Sequence, residues 1–165
     1  MIELDSRLTK RIRIAEQPGP RRGLAAVLAH SGDSWFWLAG LLLAWLLGND
    51  YWKTLALVMI AAILITAVIV FIVKFSVRRR RPEGQWGQFY RSTDPHSFPS
   101  GHAVRAVMLA VITLGLGPLW LGLALCIWAP LVAFARVAMG VHYFSDVMAG
   151  MLLGLLIGVV VLVVV

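Results

Sequence analysis

Long apolar segments alternate with short polar ones along most of this chain, a pattern typical of a helical membrane bundle. A bilayer span needs roughly 20 mostly apolar residues, and shorter spans are tolerated where the bilayer thins. Five apolar stretches fit this description, at about residues 35–47, 54–73, 103–116, 119–138 and 147–165. The pattern therefore predicts an all-α integral membrane bundle with about five transmembrane helices.

The first 33 residues follow a different pattern. Residues 1–18 alternate apolar side chains with Arg7, Lys10 and Arg11, which favours an amphipathic helix lying in the membrane interface. A Pro-Gly-Pro sequence at 18–20 breaks it, and the apolar piece 23–30 is too short to span. We predict one domain over residues 1–165, with interfacial helices in 1–33 and the transmembrane bundle in 34–165.

Composition supports a membrane protein and argues against a nucleic-acid binder. Of the 165 residues 60% are hydrophobic and 14% are charged, whereas a soluble domain is about half apolar and a quarter charged. The formal net charge is +7, but the cations flank apolar segments, where lipid headgroups and membrane topology explain them. Cys126 is the single cysteine, which excludes an intrachain disulfide and a cysteine metal site.

Small residues recur every four positions on the last predicted helix, at Gly150, Gly154 and Gly158. Such a face allows close helix packing. It predicts either a homodimer interface or, as the more frequent use, packing within the same bundle.

Five spans place the polar connections at alternating ends of the bundle. The connections 78–99 and 140–146 and the N-terminus then share one face, and the turns 48–51 and 116–118 share the other. Charged side chains at helix ends are costly unless they are paired or near water. The span count alone therefore brings the scattered polar residues to a single site.

The residues at that face suit phosphoryl transfer. Lys74, Arg81, Arg136 and the turn Ser100-Gly101 would form an anion-binding site at a helix N-terminus. His142 and Asp146 are four apart, a spacing that lets a carboxylate hold one ring nitrogen and leave the other as a nucleophile.

His102 could supply the acid that the leaving group requires. Carboxylates do not cluster at this face, so we expect metal-independent chemistry without a cofactor.

Three motifs in this order resemble the type 2 phosphatidic acid phosphatase (PAP2) superfamily. They are Lys74-x6-Arg81-Pro82, Pro99-Ser100-Gly101-His102 and Ala135-Arg136-x5-His142-x3-Asp146, with alanine at 135 where the superfamily has serine. The resemblance implies that His142 forms a phosphohistidine, Asp146 orients it and His102 protonates the leaving oxygen. It also implies that the phosphate is held by Lys74, Arg81, Ser100, Gly101 and Arg136.

Finer features are similar to the polyisoprenoid diphosphate phosphatase branch, which includes presqualene diphosphate phosphatases. They include the Ser31-Gly32 turn before Trp35 and the Ala-Val-Arg105 sequence after His102. This likeness implies that Arg105 contacts a second phosphate or a headgroup; an ordinary lipid or loop contact is the alternative. Most of the arginines at 78–80 are expected to be interfacial. His30 and His96 are interpreted as ordinary polar loop residues.

We expect a membrane phosphatase whose substrate is a polyisoprenyl phosphate or diphosphate. The alternatives are a phosphatidate or phosphatidylglycerophosphate phosphatase, and a catalytically silent protein that binds lipid phosphates. We expect the protein to lie in the inner membrane of the cell. The basic clusters at the active-site face predict that this face is on the cytoplasmic side, by the positive-inside rule.

Overall fold

The computed structural model describes residues 2–83 and 94–165, and these residues form seven α-helices. The helices are α1 (Ile2–Ile12), α2 (Pro20–Ser31), α3 (Ser34–Leu47), α4 (Asp50–Val77), α5 (Gly101–Leu116), α6 (Leu119–Ala138) and α7 (Phe144–Val164). The all-α prediction is confirmed for the described part of the chain.

The two N-terminal helices pack on the bundle. The helix predicted over residues 1–18 ends at Ile12. The second one begins at Pro20, whose fixed φ suits the first helical position. The small side chains of Ala25 and Ala29 pack against α6 near Ala135 and against Met139 just beyond it.

Among the described residues, three helices are long and apolar enough to cross a membrane: α4, α6 and α7. The apolar helices α3 and α5 are shorter, with 14 and 16 residues. Many large apolar side chains of the bundle point outward, as a bilayer-facing surface requires. The count of five spans stays a prediction.

Helices α4 and α7 begin three or more residues before their predicted bounds. In α4, the Asn49 side chain accepts a hydrogen bond from the Trp52 backbone N–H at 3.2 Å, so the helix begins before the predicted residue 54. Its end is set by Arg78, which adopts the left-handed conformation with φ 53°. Helix α7 begins at Phe144 and so includes Asp146 in its first turn.

Helix α5 is the centre of the bundle. Its buried residues Met108, Leu109 and Ile112 pack against α4 in the main apolar core. Its other faces contact α6 and α7. Helix α5, whose N-terminus carries the Ser-Gly-His sequence, is therefore held by three neighbouring helices.

The glycine face of α7 is used inside the chain. A Cβ atom at Gly150 would lie 2.7 Å from the Ser100 carbonyl oxygen, and one at Gly158 would lie 2.8 Å from Val111. Gly150, Gly154 and Gly158 are all buried against α5. This is the intrachain alternative, and the homodimer interface stays a prediction.

The polar connections gather as the span count predicts. At one end, the Tyr51 hydroxyl donates to the Leu116 carbonyl at 2.8 Å and joins the two short turns. At the other end, the Ser100 N–H donates to the Asp146 carbonyl at 3.0 Å. The three motifs therefore share one end of the bundle.

Candidate active site

A cavity of about 560 Å³ opens at the end of the bundle where the three motifs meet. It lies between the C-terminal half of α4, the N-terminus of α5 and the connections before α3 and α7. Seven of the predicted site residues line it: Lys74, Arg81, Gly101, His102, Arg105, Arg136 and His142. Ser100 and Asp146 are fully buried just behind this surface.

The His142 ring is held by a backbone carbonyl on one side and a guanidinium on the other. Its Nδ1 lies 2.7 Å from the Ser97 carbonyl oxygen, which can only accept, so this nitrogen carries the proton. Its Nε2 lies 3.2 Å from Nη1 of Arg81, which can only donate. The lone pair of Nε2 is therefore presented next to a cation of the predicted phosphate site.

Burial lowers the pKa of His142 to about 3, an effect that the nearby Arg81 and Arg136 increase and the Asp146 carboxylate only partly offsets. The ring is accordingly neutral near pH 7. A neutral imidazole whose Nε2 carries a lone pair is the form that acts as a nucleophile.

Asp146 is close to His142 but does not receive its main hydrogen bond. Its Oδ2 lies 3.7 Å from Nδ1 of His142 and accepts the Tyr143 N–H at 2.9 Å. Its Oδ1 is 2.6 Å from Nη1 of Arg79. Asp146 therefore fixes the first turn of α7 directly behind the imidazole, and Ser97 supplies the carbonyl that orients the ring.

Lys74 and Arg81 both contact the carboxylate of Asp94, a residue that was not predicted to belong to the site. Asp94 Oδ2 is 2.8 Å from Nη2 of Arg81 and forms an ion pair with Lys74. The Arg81 Nε also donates to the Asp94 carbonyl at 2.6 Å, and its Nη1 donates to Val141 at 2.8 Å. Two of the cations predicted to bind phosphate thus hold an internal anion.

Ser100 is the buried hydroxyl of the site. It occupies the N-cap position of α5 with an extended backbone, but its side chain does not cap the helix. Its Oγ is buried and has no hydrogen-bond partner among the residues that the structure describes. A buried hydroxyl beside a helix N-terminus fits the predicted role in binding a phosphate oxygen.

His102 contacts a second carboxylate, that of Asp33, which directly precedes α3. Its Nε2 is 2.5 Å from Asp33 Oδ1. Oδ2 of the same carboxylate is 3.2 Å from Nδ1 of His30, which lies in α2 and not in a loop. Burial alone would raise the pKa of Asp33, but the two imidazoles lower it well below its ordinary value.

Arg105 lines the cavity, and its guanidinium is bound to the turn before α3. Its Nε donates to the Gly32 carbonyl at 2.9 Å, which Nη2 also contacts, and Nη1 donates to the Ser34 hydroxyl at 2.6 Å. These protein contacts compete with a second phosphate. The second-phosphate role of Arg105 stays a prediction.

Arg79 belongs to the site and not to the bilayer surface. Its guanidinium joins Asp146 and Asp5, both at 2.6 Å, and lies 4.1 Å from the centre of the Tyr143 ring. Asp5 also accepts the Ser145 N–H at 3.0 Å at the start of α7. Helix α1 is therefore connected to the segment that carries His142. No local pattern in the sequence predicts this contact.

Within residues 2–83 and 94–165, histidine, cysteine and carboxylate side chains form no group of three that could ligate a metal ion. The acidic residues of the site instead contact cations or imidazoles.

Sequence comparison places the chain among known proteins. The PAP2 superfamily matches residues 51–165. An undecaprenyl-diphosphatase from Sulfolobus acidocaldarius is 32% identical over 136 residues, or 80% of this chain. The chain spans 65% of the length of that relative.

Two solved structures share the fold. A transmembrane PAP2 type phosphatidylglycerolphosphate phosphatase from Bacillus subtilis aligns with a TM-score of 0.77 and 22% identity, covering 96% of this chain and 83% of its own. Aquifex aeolicus LpxE aligns with a TM-score of 0.75 and 24% identity, covering 96% of this chain and 94% of its own. The superfamily match covers well over half of the sequence, and this membrane protein belongs to the PAP2 superfamily.

Proposed function

We propose that this chain is a metal-independent lipid phosphatase that hydrolyses polyisoprenyl diphosphate or monophosphate through a phosphohistidine. The observation that carries the proposal is the neutral His142, whose Nε2 faces Arg81 at the cavity. The protonated Nδ1 is held by the Ser97 carbonyl, so the ring need not change tautomer before attack.

In the first step, Nε2 of His142 attacks the terminal phosphorus and forms an N–P bond. The P–O bond to the lipid breaks, and the leaving oxygen takes a proton from His102. Lys74, Arg81 and Arg136 offset the charge on the three equatorial oxygens, with Ser100 and Gly101 at the helix N-terminus.

In the second step, water attacks the phosphohistidine and gives a proton to His102. The N–P bond breaks, phosphate is released, and both histidines return to their starting protonation states. Asp146 takes no proton in this scheme. It acts by fixing the turn that carries His142.

The substrate class rests on the cavity wall and on the named relative. Ile63, Val70 and Phe71 of α4 line the cavity, and Phe71 is also exposed on the outer surface of the bundle, which suits a lipid tail that stays in the bilayer. The relative that is 32% identical is named an undecaprenyl-diphosphatase. Together they favour a polyisoprenyl substrate.

A glycerophospholipid is the second candidate. The fold neighbour from Bacillus subtilis acts on phosphatidylglycerolphosphate according to its name. At 22% identity this likeness concerns the fold. Phosphatidate and phosphatidylglycerophosphate are therefore included as test substrates, but the likeness does not favour them.

We further place the active-site face on the cytoplasmic side of the inner membrane. Several cations there are engaged in the site, but Lys10, Arg11 and Arg21 on the N-terminal helices are exposed and remain available to anionic lipid. Hydrolysis of a membrane-impermeant aryl phosphate by permeabilised but not intact spheroplasts is expected. Equal rates would contradict the placement.

Phosphate release by purified protein tests the proposal. The panel contains polyisoprenyl diphosphate, polyisoprenyl monophosphate, phosphatidate and phosphatidylglycerophosphate, each with EDTA. We expect preference for the isoprenyl lipids, no effect of EDTA, and loss of turnover in His142→Ala. Preference for glycerolipids would replace the substrate class, EDTA sensitivity would refute the metal-free mechanism, and no release from any lipid would favour the silent binder.

A further inference from the structure

The turn between α2 and α3 is built against the imidazole of His102. A Cβ atom at Gly32 would lie 2.8 Å from Val132 Cγ1 and 3.3 Å from Cδ2 of the His102 ring. Only glycine brings the backbone this close to the ring without displacing a neighbour. The turn therefore meets His102 at a fixed distance.

Arg105 also binds this turn. Its guanidinium donates to the Gly32 carbonyl and to the Ser34 hydroxyl, the residues on either side of Asp33. Arg105 is three residues after His102 in α5, so one helix carries both the imidazole and the guanidinium that binds the turn. The Asp33 carboxylate is thereby positioned by the fold, independently of any bound lipid.

The contact between Asp33 and His102 assigns the two ring nitrogens. Asp33 Oδ1 lies 2.5 Å from Nε2, and an ionised carboxylate can only accept, so Nε2 carries a proton. The only proton that the imidazolium can give up without breaking this bond is the one on Nδ1. Burial and the nearby cations Arg136 and Arg105 disfavour the charged ring that the transfer requires, and the Asp33 carboxylate is the contact that favours it.

We propose that Asp33 is a positioning residue of the phosphatase, which holds Nε2–H of His102 so that Nδ1 delivers its proton to the leaving oxygen. This inference rests on the proposed function. On transfer, the Nδ1–H bond breaks and an O–H bond forms on the leaving lipid, while Nε2–H stays on Asp33. In the second step Nδ1 takes the proton of the attacking water.

The need for Asp33 then depends on the leaving group. Polyisoprenyl monophosphate releases an alcohol, whose oxygen is about as basic as hydroxide and requires a proton. Polyisoprenyl diphosphate releases a monophosphate with a pKa of about 6, and 4-nitrophenyl phosphate releases a stabilised phenolate. These two leaving groups, the lipid monophosphate and the phenolate, can depart without a full proton transfer from His102.

The experiment compares kcat/KM, which reports the bond-breaking step, for Asp33→Asn and for the unaltered chain on these three substrates. General acid catalysis contributes about 10²- to 10⁴-fold, so we expect a loss of about 100-fold on the monophosphate and only a few-fold on the other two. Asp33→Glu, which retains the carboxylate, should recover part of the monophosphate rate. An equal loss on all three substrates would overturn the proposal.

Asp50→Asn is the matched control. It makes the same chemical change at an exposed position in the first turn of α4, at the far end of the bundle, and should leave all three rates unchanged. If Asp33→Asn does not fold, Asp33→Glu decides the comparison. A monophosphate rate in Asp33→Glu that falls no more than the aryl phosphate rate would then contradict the proposal.

Nitrogen NMR of labelled histidine separates this inference from the proposed function. The His102 signals are assigned by their absence in His102→Gln. Neutral His102 should show Nε2 protonated and Nδ1 bare, and Asp33→Asn should reduce that tautomer population. If no lipid is hydrolysed, the proposed function fails and this tautomer result alone decides the role of Asp33. An unchanged tautomer would refute it.

Discussion

Arg79, at a variable position inside the first motif, contacts Asp146 of the third motif, with 2.6 Å between its Nη1 and Oδ1 of the carboxylate. Asp146 is completely buried, whereas the Arg79 side chain is 24% exposed. The same guanidinium also binds Asp5 on α1. The carboxylate behind the proposed nucleophile is thus held by an arginine that the motif does not specify, and that arginine is bound in turn by Asp5 of α1.

Arg79→Ala is expected to impair both stability and turnover. It leaves a buried carboxylate without its cation, and we expect a loss of about 2 kcal/mol, below the value for fully buried pairs because Arg79 is partly exposed. Loosening of the turn that carries His142 should lower kcat about 10- to 100-fold. Thermal unfolding and phosphate release measure the two effects.

Arg80→Ala is the control for that change. Arg80 is the adjacent arginine, is exposed, and pairs with His96 only through its backbone. Its substitution should leave stability and kcat nearly unchanged. Equal effects of the two substitutions would show that the arginines act through lipid or overall charge and not through Asp146.

Asp94→Asn is expected to strengthen anion binding. In the present structure the Asp94 carboxylate contacts Lys74 and Arg81, and a phosphate at these cations must displace it. With a neutral amide at 94, the inhibition constant of inorganic phosphate should fall about tenfold, the equivalent of about 1.4 kcal/mol. Glu83→Gln removes an exposed charge from the same connection and should not alter it. A weaker affinity in Asp94→Asn would mean that the carboxylate supports the site instead of competing for it.

The sequence was sufficient to predict the helices and the convergence of the motifs, because apolar length and span alternation are local properties. Lys74, Arg81, His102 and His142 line one cavity as expected. Asp33 could not be predicted, since it reaches His102 across 69 positions through a turn whose conformation depends on Gly32 and Arg105. The hydrogen bond of His142 to Ser97 was equally inaccessible, because a backbone carbonyl leaves no trace in residue type.

Gly154→Ala is expected to disturb the packing of α7 on α5. A Cβ atom there would overlap the Val104 carbonyl oxygen, a backbone atom that cannot move by rotating a side chain. We expect destabilisation of about 1–3 kcal/mol, measured as a lower thermal midpoint. Gly40→Ala adds the same methyl group to α3, where nothing lies within 4 Å, and should be neutral. A stable Gly154→Ala protein that loses only a dimer would instead identify this face as an interface between copies.

Acidification is expected to destabilise the protein through His142. Burial depresses its pKa to about 3, so between that value and the unfolded value of about 6.5 the unfolded chain binds more protons than the native one. The free energy of unfolding therefore rises with pH in this window, and lowering the pH from about 6.5 to 4.5 should remove up to about 2 kcal/mol. Carboxylates contribute little there, because they titrate nearer pH 4. Thermal midpoints followed by tryptophan fluorescence should show this slope in the unaltered chain and in His96→Gln, and a reduced slope in His142→Gln. An identical slope in His142→Gln would mean that this imidazole is not held neutral by burial.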